Sequence, residues 1–297
     1  MSQGYSGLNG VNGKTMVYGV IGDPVSHSFS PQIHSYFADL RGVNMVYVPF
    51  CVKKDDVGTA IAGSHALGIR GLNVTVPHKK VVMPHLVHVD PMAHKVGTVN
   101  TLCWTDEGYI GFNTDYIGIN RTVKNLGLSF KGHKVAIIGA GGSAYAAAIA
   151  AADGGASNIT IINRTLDNAN LLAAHVNSYY DIPVETQFFS SFSENFDIII
   201  QTTTVGFGEL AGKSPLTDVK ILEGTKLLLD IIYTPWETEL MRQAKEALVN
   251  YVVNGFPMLV YQAAAAFELW HPPAVPPEVV LTDERHVQEL EKRFHIS

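Results

Sequence analysis

The chain of 297 residues has two cysteines, no apolar run long enough to cross a bilayer and no excess of basic charge. Each shortage excludes a class of protein. Cys51 and Cys103 build neither a disulfide framework nor a metal-binding spacing, and they suit a reducing cytoplasm. A membrane helix needs about 20 consecutive apolar residues, whereas the alanine-rich stretch 144–152 is short and ends at Asp153. A net charge of −6 argues against general affinity for nucleic acid or anionic membrane, so an anionic ligand must be held by local donors. Residues 1–14 have no apolar signal core and read as a flexible tail. No internal repeat is present.

What remains is the balance of a soluble globular chain, 46% hydrophobic and 16% charged, long enough for one large domain or two of ordinary size. Short β-branched runs alternate with segments of helical period, which predicts an α/β fold. The first part reads as strand 16–21, helix 30–42, strand 46–50, helix 54–67, strand 71–76, a helix near 91–95 and a hairpin of 97–104 with 109–112. A helix over 115–127 follows. The pattern then becomes strand 134–138, helix 143–153, strand 158–162, helix 165–177, and strands 183–187, 197–201 and 226–232. Helices 257–270 and 282–293 close the chain. The near-continuous apolar strands around Ile198 and Leu227 suit a parallel sheet covered on both faces.

Two stretches carry chemistry. In His133-Lys-Val-Ala-Ile-Ile-Gly-Ala-Gly-Gly-Ser-Ala, a strand runs through a glycine turn into a helix. Gly139, Gly141 and Ala144 occupy the three small-residue positions of a dinucleotide fingerprint, giving a tight turn, a close backbone approach and helix–strand packing. The helix N-terminus adds N–H donors and positive partial charge. The same turn without a ligand would merely pack a helix on a sheet, but its place between a clear strand and an alanine-rich helix favours the cofactor reading. The next strand ends Ile161-Ile162-Asn163-Arg164-Thr165, with no carboxylate to take the ribose hydroxyls. Arg164 can pair with a 2′-phosphate, which favours NADP over NAD.

The second stretch is Asn73-Val-Thr-Val-Pro-His-Lys-Lys. Hydride delivery to a carbonyl leaves an oxygen that must gain a proton, and a lysine oriented by a carboxylate can donate it. The candidate groups lie in three loops that follow strands, at 27–31, 73–79 and 111–115.

In order along the chain stand I-G-D-P-V-S-H-S-F-S-P (21–31), N-V-T-V-P-H-K (73–79), G-T-V-N-T (97–101), G-F-N-T-D (111–115), G-A-G-G-S-A (139–144), N-R-T (163–165), T-T-T-V-G (202–206) and N-G-F-P-M-L-V-Y-Q (254–262). Each is weak alone. Together, from about Met16 to Trp270, they resemble the shikimate dehydrogenase family, which reduces 3-dehydroshikimate to shikimate with NADPH on the chorismate route to aromatic amino acids.

The resemblance implies two lobes with the active site in the cleft between them. It places a substrate lobe over 15–114 and 255–297, and a Rossmann-like, doubly wound NADP-binding lobe over 115–254. It maps the catalytic pair onto Lys79 and Asp115, and leaves open which of them carries the proton at each step. Ser28 and Ser30, with Thr75 nearby, map onto the substrate carboxylate. Asn100, Asp115 and Gln262, with Lys79, map onto the ring hydroxyls, and Tyr233 lines the site. The cofactor maps onto Gly139, Ala140, Gly141, Gly142, Ser143, Ala144, Asn163, Arg164, Thr165, Gly255 and Met258.

Departures from the family pattern are His78 in place of a common phenylalanine, Pro257 in place of a second glycine, and Leu166-Asp167-Asn168 where a second basic residue is common. The last leaves NAD use open. Some members of the wider family oxidise quinate as well, so a quinate/shikimate dehydrogenase is the second reading, although Ser28, Ser30 and Thr75 together favour shikimate. A non-catalytic nucleotide-binding module is the third reading, against which the intact Lys79/Asp115 pair argues. His85, His88 and His94 fall where the family has a variable helix, so no metal is expected. The partner is a small molecule, with no nucleic acid or membrane, and the chain is a monomer or homodimer.

Overall fold

The computed structural model describes residues 11–189, 195–216, 218–272 and 281–295. The first ten residues of the expected flexible tail lie outside them. Residues 12–15 form a turn closed by the Asn12 N–H on the Thr15 hydroxyl at 3.0 Å. The chain divides into two units: one runs to Thr114 and resumes at Val260, and the other is Asp115–Leu259. Among the described residues no helix is long and apolar enough to cross a membrane.

In the first unit, β1 (Met16–Gly22) pairs in parallel with β2 (Met45–Cys51) on one side and β3 (Gly71–Val74) on the other. The crossovers are α1 (Ser30–Arg41) and α2 (Val57–Ala66). Pro31 starts α1, where its missing N–H costs nothing, and Gly42 at φ +62° ends it. Then come β4 (His88–Val89), α3 (Pro91–Val96), β5 (Thr101–Thr105) and β6 (Gly108–Phe112). The sheet order is β2-β1-β3-β5-β6-β4, with β5 antiparallel to both β3 and β6. Strand alternation splits the core. Ile21, Leu72 and Leu102 pack with Val57 and Ile61 of α2, while Tyr18, Val20 and Tyr47 pack with Trp270.

Three expected strands are shorter than their apolar runs, and of the 226–232 run only Leu227–Asp230 is strand. β3 stops at Val74, because the His78 N–H turns back to the Thr75 carbonyl at 2.9 Å. β5 begins at Thr101 rather than 97, because Gly97 (φ +78°) caps α3 and the Val99 N–H bonds the Lys79 carbonyl, outside the β3–β5 ladder.

The second unit starts with α4 (Asp115–Asn125), then β7 (Lys134–Ile138), α5 (Gly142–Asp153), β8 (Asn158–Asn163), α6 (Leu166–Asn177) and β9 (Val184–Phe188). It continues through β10 (Ile198–Gln201), β11 (Leu227–Asp230), α7 (Glu239–Glu246), β12 (Tyr251–Val253) and the start of α8 (Phe256–Trp270). α9 (Glu284–His295) lies in the stretch belonging to the first unit. The six strands are all parallel in the order β12-β11-β10-β7-β8-β9. Connections run outward from β7 to one edge and then from β10 to the other, so the winding reverses between β7 and β10. That is the doubly wound order, whose reversal point is where such sheets bind ligands.

Every residue of β10 and β11 is buried, as is every residue from Ala144 to Ala152 of α5. Small side chains let that helix lie close on the sheet. Sequence periodicity missed β4, α7 and β12. β4 and β12 are too short to show alternation, and α7 is a charged eight-residue helix marked chiefly by its cap, Thr238, whose hydroxyl accepts the Met241 N–H at 3.2 Å.

Candidate active site

The lysine segment is built onto the end of β1. A side chain at Gly22 would collide with the Thr75 methyl, so glycine there lets the two loops close on each other. The Asp23 N–H bonds the Val76 carbonyl at 3.0 Å, and the Val52 N–H bonds the Gly22 carbonyl at 3.0 Å. His78 is buried, and its Nε2 meets the Val52 carbonyl at 2.6 Å. A phenylalanine there would lack this bond. Lys79 is half-buried and Lys80 exposed, which separates the two adjacent lysines. The Lys79 carbonyl accepts the Val99 N–H at 2.9 Å.

Next to Val99 stands Asn100, buried and fully engaged. Its Oδ1 accepts the Thr114 N–H at 2.7 Å, and its Nδ2 donates to the Thr114 hydroxyl at 3.0 Å and to Gln262 Oε1 at 3.3 Å. A backbone N–H can only donate, so the Thr114 bond sets which way the Asn100 amide faces, and hence that the Gln262 oxygen points toward it. Asp115 follows directly on Thr114, as the first residue of α4, and is only 5% exposed. Lys79 belongs to the first unit and Asp115 opens the second. Ser28 and Ser30 share a turn at the start of α1, where the Ser30 N–H bonds Ser28 Oγ at 3.2 Å. Ser30 is buried and Thr75 half-buried.

In the second unit the glycine turn lies at the winding reversal. Gly139 has φ +115°, and a Cβ there would sit 2.5 Å from Thr202 Oγ1, at the end of β10. Thr202 is itself pinned, its hydroxyl donating to the Ile138 carbonyl at 2.7 Å. Gly141 differs. Its φ is −84°, and nothing among the described residues lies within 4 Å of the position its Cβ would take. Gly142 and Ser143 start α5, Ala144 is fully buried against the sheet, and Ala140 is half-buried in the turn. After β8, Asn163 donates to the Thr165 carbonyl at 2.9 Å, and Arg164 is exposed with no ion pair among the described residues.

The loop after β11 is held by a carboxylate. Asp230, fully buried, accepts the Ile232 N–H at 3.1 Å and the Thr238 hydroxyl at 2.7 Å. Burial pushes its pKa up to about 6, against the lowering effect of those donors. Tyr233 lies between the two anchors, and its phenol is pushed up by burial. Gly255 docks on the same loop: its N–H bonds the Ile232 carbonyl at 2.9 Å, and any side chain would strike the Ile231 carbonyl. Pro257 falls in the first turn of α8, where it breaks no helical bond. Met258 is buried one residue further on.

Sequence reasoning missed several supporting groups. Asn73, Thr101 and Thr114 surround Asn100 inside motifs already singled out, so their position in those motifs was the available signal. Gln201 and Asp230, which anchor the two loops after β10 and β11, had none, because each ends an apolar strand where a polar residue reads as a loop start. Gln201 Oε1 accepts the Thr203 N–H at 2.7 Å, and its Nε2 donates to the Val205 carbonyl at 3.0 Å. Among the described residues no group of three or more His, Cys, Asp or Glu is placed to hold a metal ion.

Three family models match the chain in order. The shikimate dehydrogenase substrate binding domain covers residues 20–102, the shikimate / quinate 5-dehydrogenase domain 121–232, and the shikimate 5′-dehydrogenase C-terminal domain 255–281. A shikimate dehydrogenase (NADP(+)) of Bacillus cereus strain AH820 is 39% identical over 258 residues, covering 86% of this chain and 92% of its own. A solved shikimate dehydrogenase in complex with NADP+ superposes with TM-score 0.83 at 35% identity, covering 94% of this chain and 97% of that one. The shikimate 5-dehydrogenase of Thermus thermophilus, solved with NADP(H) and shikimate, gives 0.81 at 28% identity, covering 94% and 99%. With the glycine turn at the winding reversal and the lysine, asparagine and glutamine motifs all in place, this chain belongs to the shikimate dehydrogenase family.

Proposed function

We propose that the chain catalyses the reversible NADPH-dependent reduction of 3-dehydroshikimate to shikimate, with Lys79 and Asp115 as the catalytic pair. The observation that carries the assignment of roles is the frame around Asn100. One side of it anchors the Lys79 carbonyl through Val99, and the other anchors Thr114, the residue before Asp115.

The glycine turn fits a dinucleotide. The open side of Gly141 lets backbone come close to a pyrophosphate at the α5 N-terminus, and exposed Arg164 suits a 2′-phosphate. Gly139–Ala144, Asn163–Thr165, Gly255 and Met258 would hold the cofactor, within residues 115–254 and the segment that follows. When bound, it supplies or takes the hydride.

The chain's own residues do the rest. Lys79 gives a proton to the ring carbonyl oxygen as negative charge develops there, and Asp115 holds the ammonium in line. Ser28, Ser30 and Thr75 hold the substrate carboxylate with hydroxyl donors. Asn100, Asp115 and Gln262 read the ring hydroxyls, and Tyr233 lines the site, which gives residues 15–114 and 255–297 the substrate role. Cys51 and Cys103 are free thiols, in keeping with a cytoplasmic enzyme, monomer or homodimer. Purified protein given shikimate and NADP+ should develop the absorbance of reduced nicotinamide. A protein that binds NADP+ yet oxidises neither shikimate nor quinate sinks the proposal.

One observation favours a second reading. α6 opens with Leu166 and Asp167, with no second base beside Arg164, which loosens the grip on a 2′-phosphate and admits NAD, as in a quinate/shikimate dehydrogenase that uses both cofactors. Comparing kcat/KM for both acids with both cofactors separates the readings.

A further inference from the structure

We infer that Tyr47, which lies in β2 outside every motif named above, is a positioning residue that strengthens, through a relay of hydrogen bonds, the amides reading the substrate's ring hydroxyls. The inference rests on the shikimate reading of Asn100 and Gln262.

Its basis is a chain of hydrogen bonds that all run one way. The Tyr47 hydroxyl donates to Asn73 Oδ1 at 2.7 Å. Asn73 Nδ2 donates to the Thr101 hydroxyl at 3.1 Å, and the Thr101 hydroxyl donates to Asn100 Oδ1 at 3.1 Å. Asn100 Nδ2 then donates to Gln262 Oε1 at 3.3 Å. The direction is fixed chemically at two points. Asn73 Nδ2 also faces the Asn100 carbonyl at 3.3 Å, and a carbonyl only accepts. Asn100 Oδ1 faces the Thr114 N–H, which only donates. Asn73 must therefore present its oxygen to Tyr47, and the phenol must be the donor.

Tyr47 is 7% exposed, and burial raises its pKa well above the ordinary phenol value, so it keeps the proton the relay needs. Ser30 partly offsets that rise. The relay thus runs from Tyr47 to residues proposed to read the ring. Aligned bonds polarise one another, so removing the first donor weakens those downstream and leaves Asn73 Oδ1 buried without it.

Tyr47→Phe removes this hydroxyl and nothing else. Tyr18→Phe is the matched control: it is a buried tyrosine of the same cluster whose hydroxyl, among the described residues, is hydrogen-bonded to a thioether alone, Met16 Sδ at 3.8 Å. Steady-state kinetics should show KM for shikimate raised about tenfold in Tyr47→Phe, with KM for NADP+ unchanged and kcat much less affected. Tyr18→Phe should match the wild type. In a double-mutant cycle, Tyr47→Phe should add nothing to the KM effect of Asn73→Ala. Asn73→Ala by itself, which breaks the relay one step further on, should also raise KM for shikimate and leave KM for NADP+ unchanged, and it decides the question if Tyr47→Phe folds poorly. A lowered melting temperature with shikimate KM unchanged would make Tyr47 merely structural and overturn the inference, as would equal effects on both substrates or full additivity with Asn73→Ala. A wild type inactive on shikimate overturns the functional reading, and the inference with it. An active wild type with an indifferent Tyr47→Phe overturns the inference alone.

Discussion

The backbone carbonyl of Lys79 is bonded to the backbone N–H of Val99 at 2.9 Å, one residue before the buried amide of Asn100. A lysine on a free loop would lose much backbone and side-chain entropy on reaching its working position. Here the main chain on both sides is already fixed, by the Thr75–His78 turn before it and by Val99 across from it. The backbone therefore does not have to be ordered for the reaction, which is the kind of preorganisation that lets a proton donor act without a large entropic cost.

Lys79→Ala should therefore lower kcat by roughly 10²–10⁴-fold, the usual worth of a positioned acid or base. KM for shikimate should change far less, and the unfolding midpoint little. Exposed Lys80, replaced the same way, should leave the kinetics near wild type. Initial-rate kinetics on both variants check this. Equal losses in binding and rate for Lys79→Ala would reduce it to a binding lysine.

The two glycines of the nucleotide turn should separate stability from cofactor binding. Gly139→Ala forces a side chain into the left-handed region and against Thr202, and should cost about 1–3 kcal/mol in denaturant unfolding. Gly141 has an ordinary φ and open space on its Cβ side. Gly141→Ala should leave stability unchanged or raise it by about 0.4–1 kcal/mol, while NADPH titration shows weakened binding. Unaltered NADPH affinity in Gly141→Ala would mean that the turn does not face the cofactor.

Arg164→Ala should raise KM for NADP+ by about tenfold or more, the worth of charge-assisted hydrogen bonds to a phosphate. KM for NAD+ should stay the same. A variant equally impaired with both cofactors would place the arginine away from the 2′ position.

Asp230 makes stability depend on pH in an unusual direction for a carboxylate. Its folded pKa, raised to about 6, lies above the ordinary 3.8, so the native state holds the proton more tightly than the unfolded chain. Its contribution is therefore most favourable below about pH 4 and falls as pH rises to about 6. Asp230→Asn keeps an oxygen for the Ile232 N–H and an amide for Thr238. The variant should gain on the wild type by up to about 3 kcal/mol at pH 7–8, the gap closing near pH 4. Urea unfolding across that range checks the sign.

Where the residues signal through local geometry, sequence reading and structure agree closely. The turn at Gly139, the helix begun by Pro31 and the buried strands around Ile199 and Leu228 follow from neighbours within a few positions. The failures were also local. The 71–76 and 97–104 runs were read as longer strands because β-branched residues favour extended chain wherever they stand. Whether such a stretch enters a ladder depends on a partner, and here the partners of Val99 and His78 lie outside the β3–β5 ladder. β12 is three residues long, and its identity comes from lying beside β11 rather than from its composition.

The residue types by themselves determined the α/β class and the nucleotide turn, because periodicity and glycine conformation act over short stretches, and the order of the motifs carried the resemblance that named the candidate polar groups. Tertiary structure alone decided how those groups are oriented. Asn100 and Gln262 stand 162 residues apart yet share a hydrogen bond, and Tyr47 reaches them through Asn73 and Thr101 from a different strand. Which end of an amide faces which neighbour is set by backbone donors and acceptors brought together by sheet pairing, and no spacing along the chain encodes that.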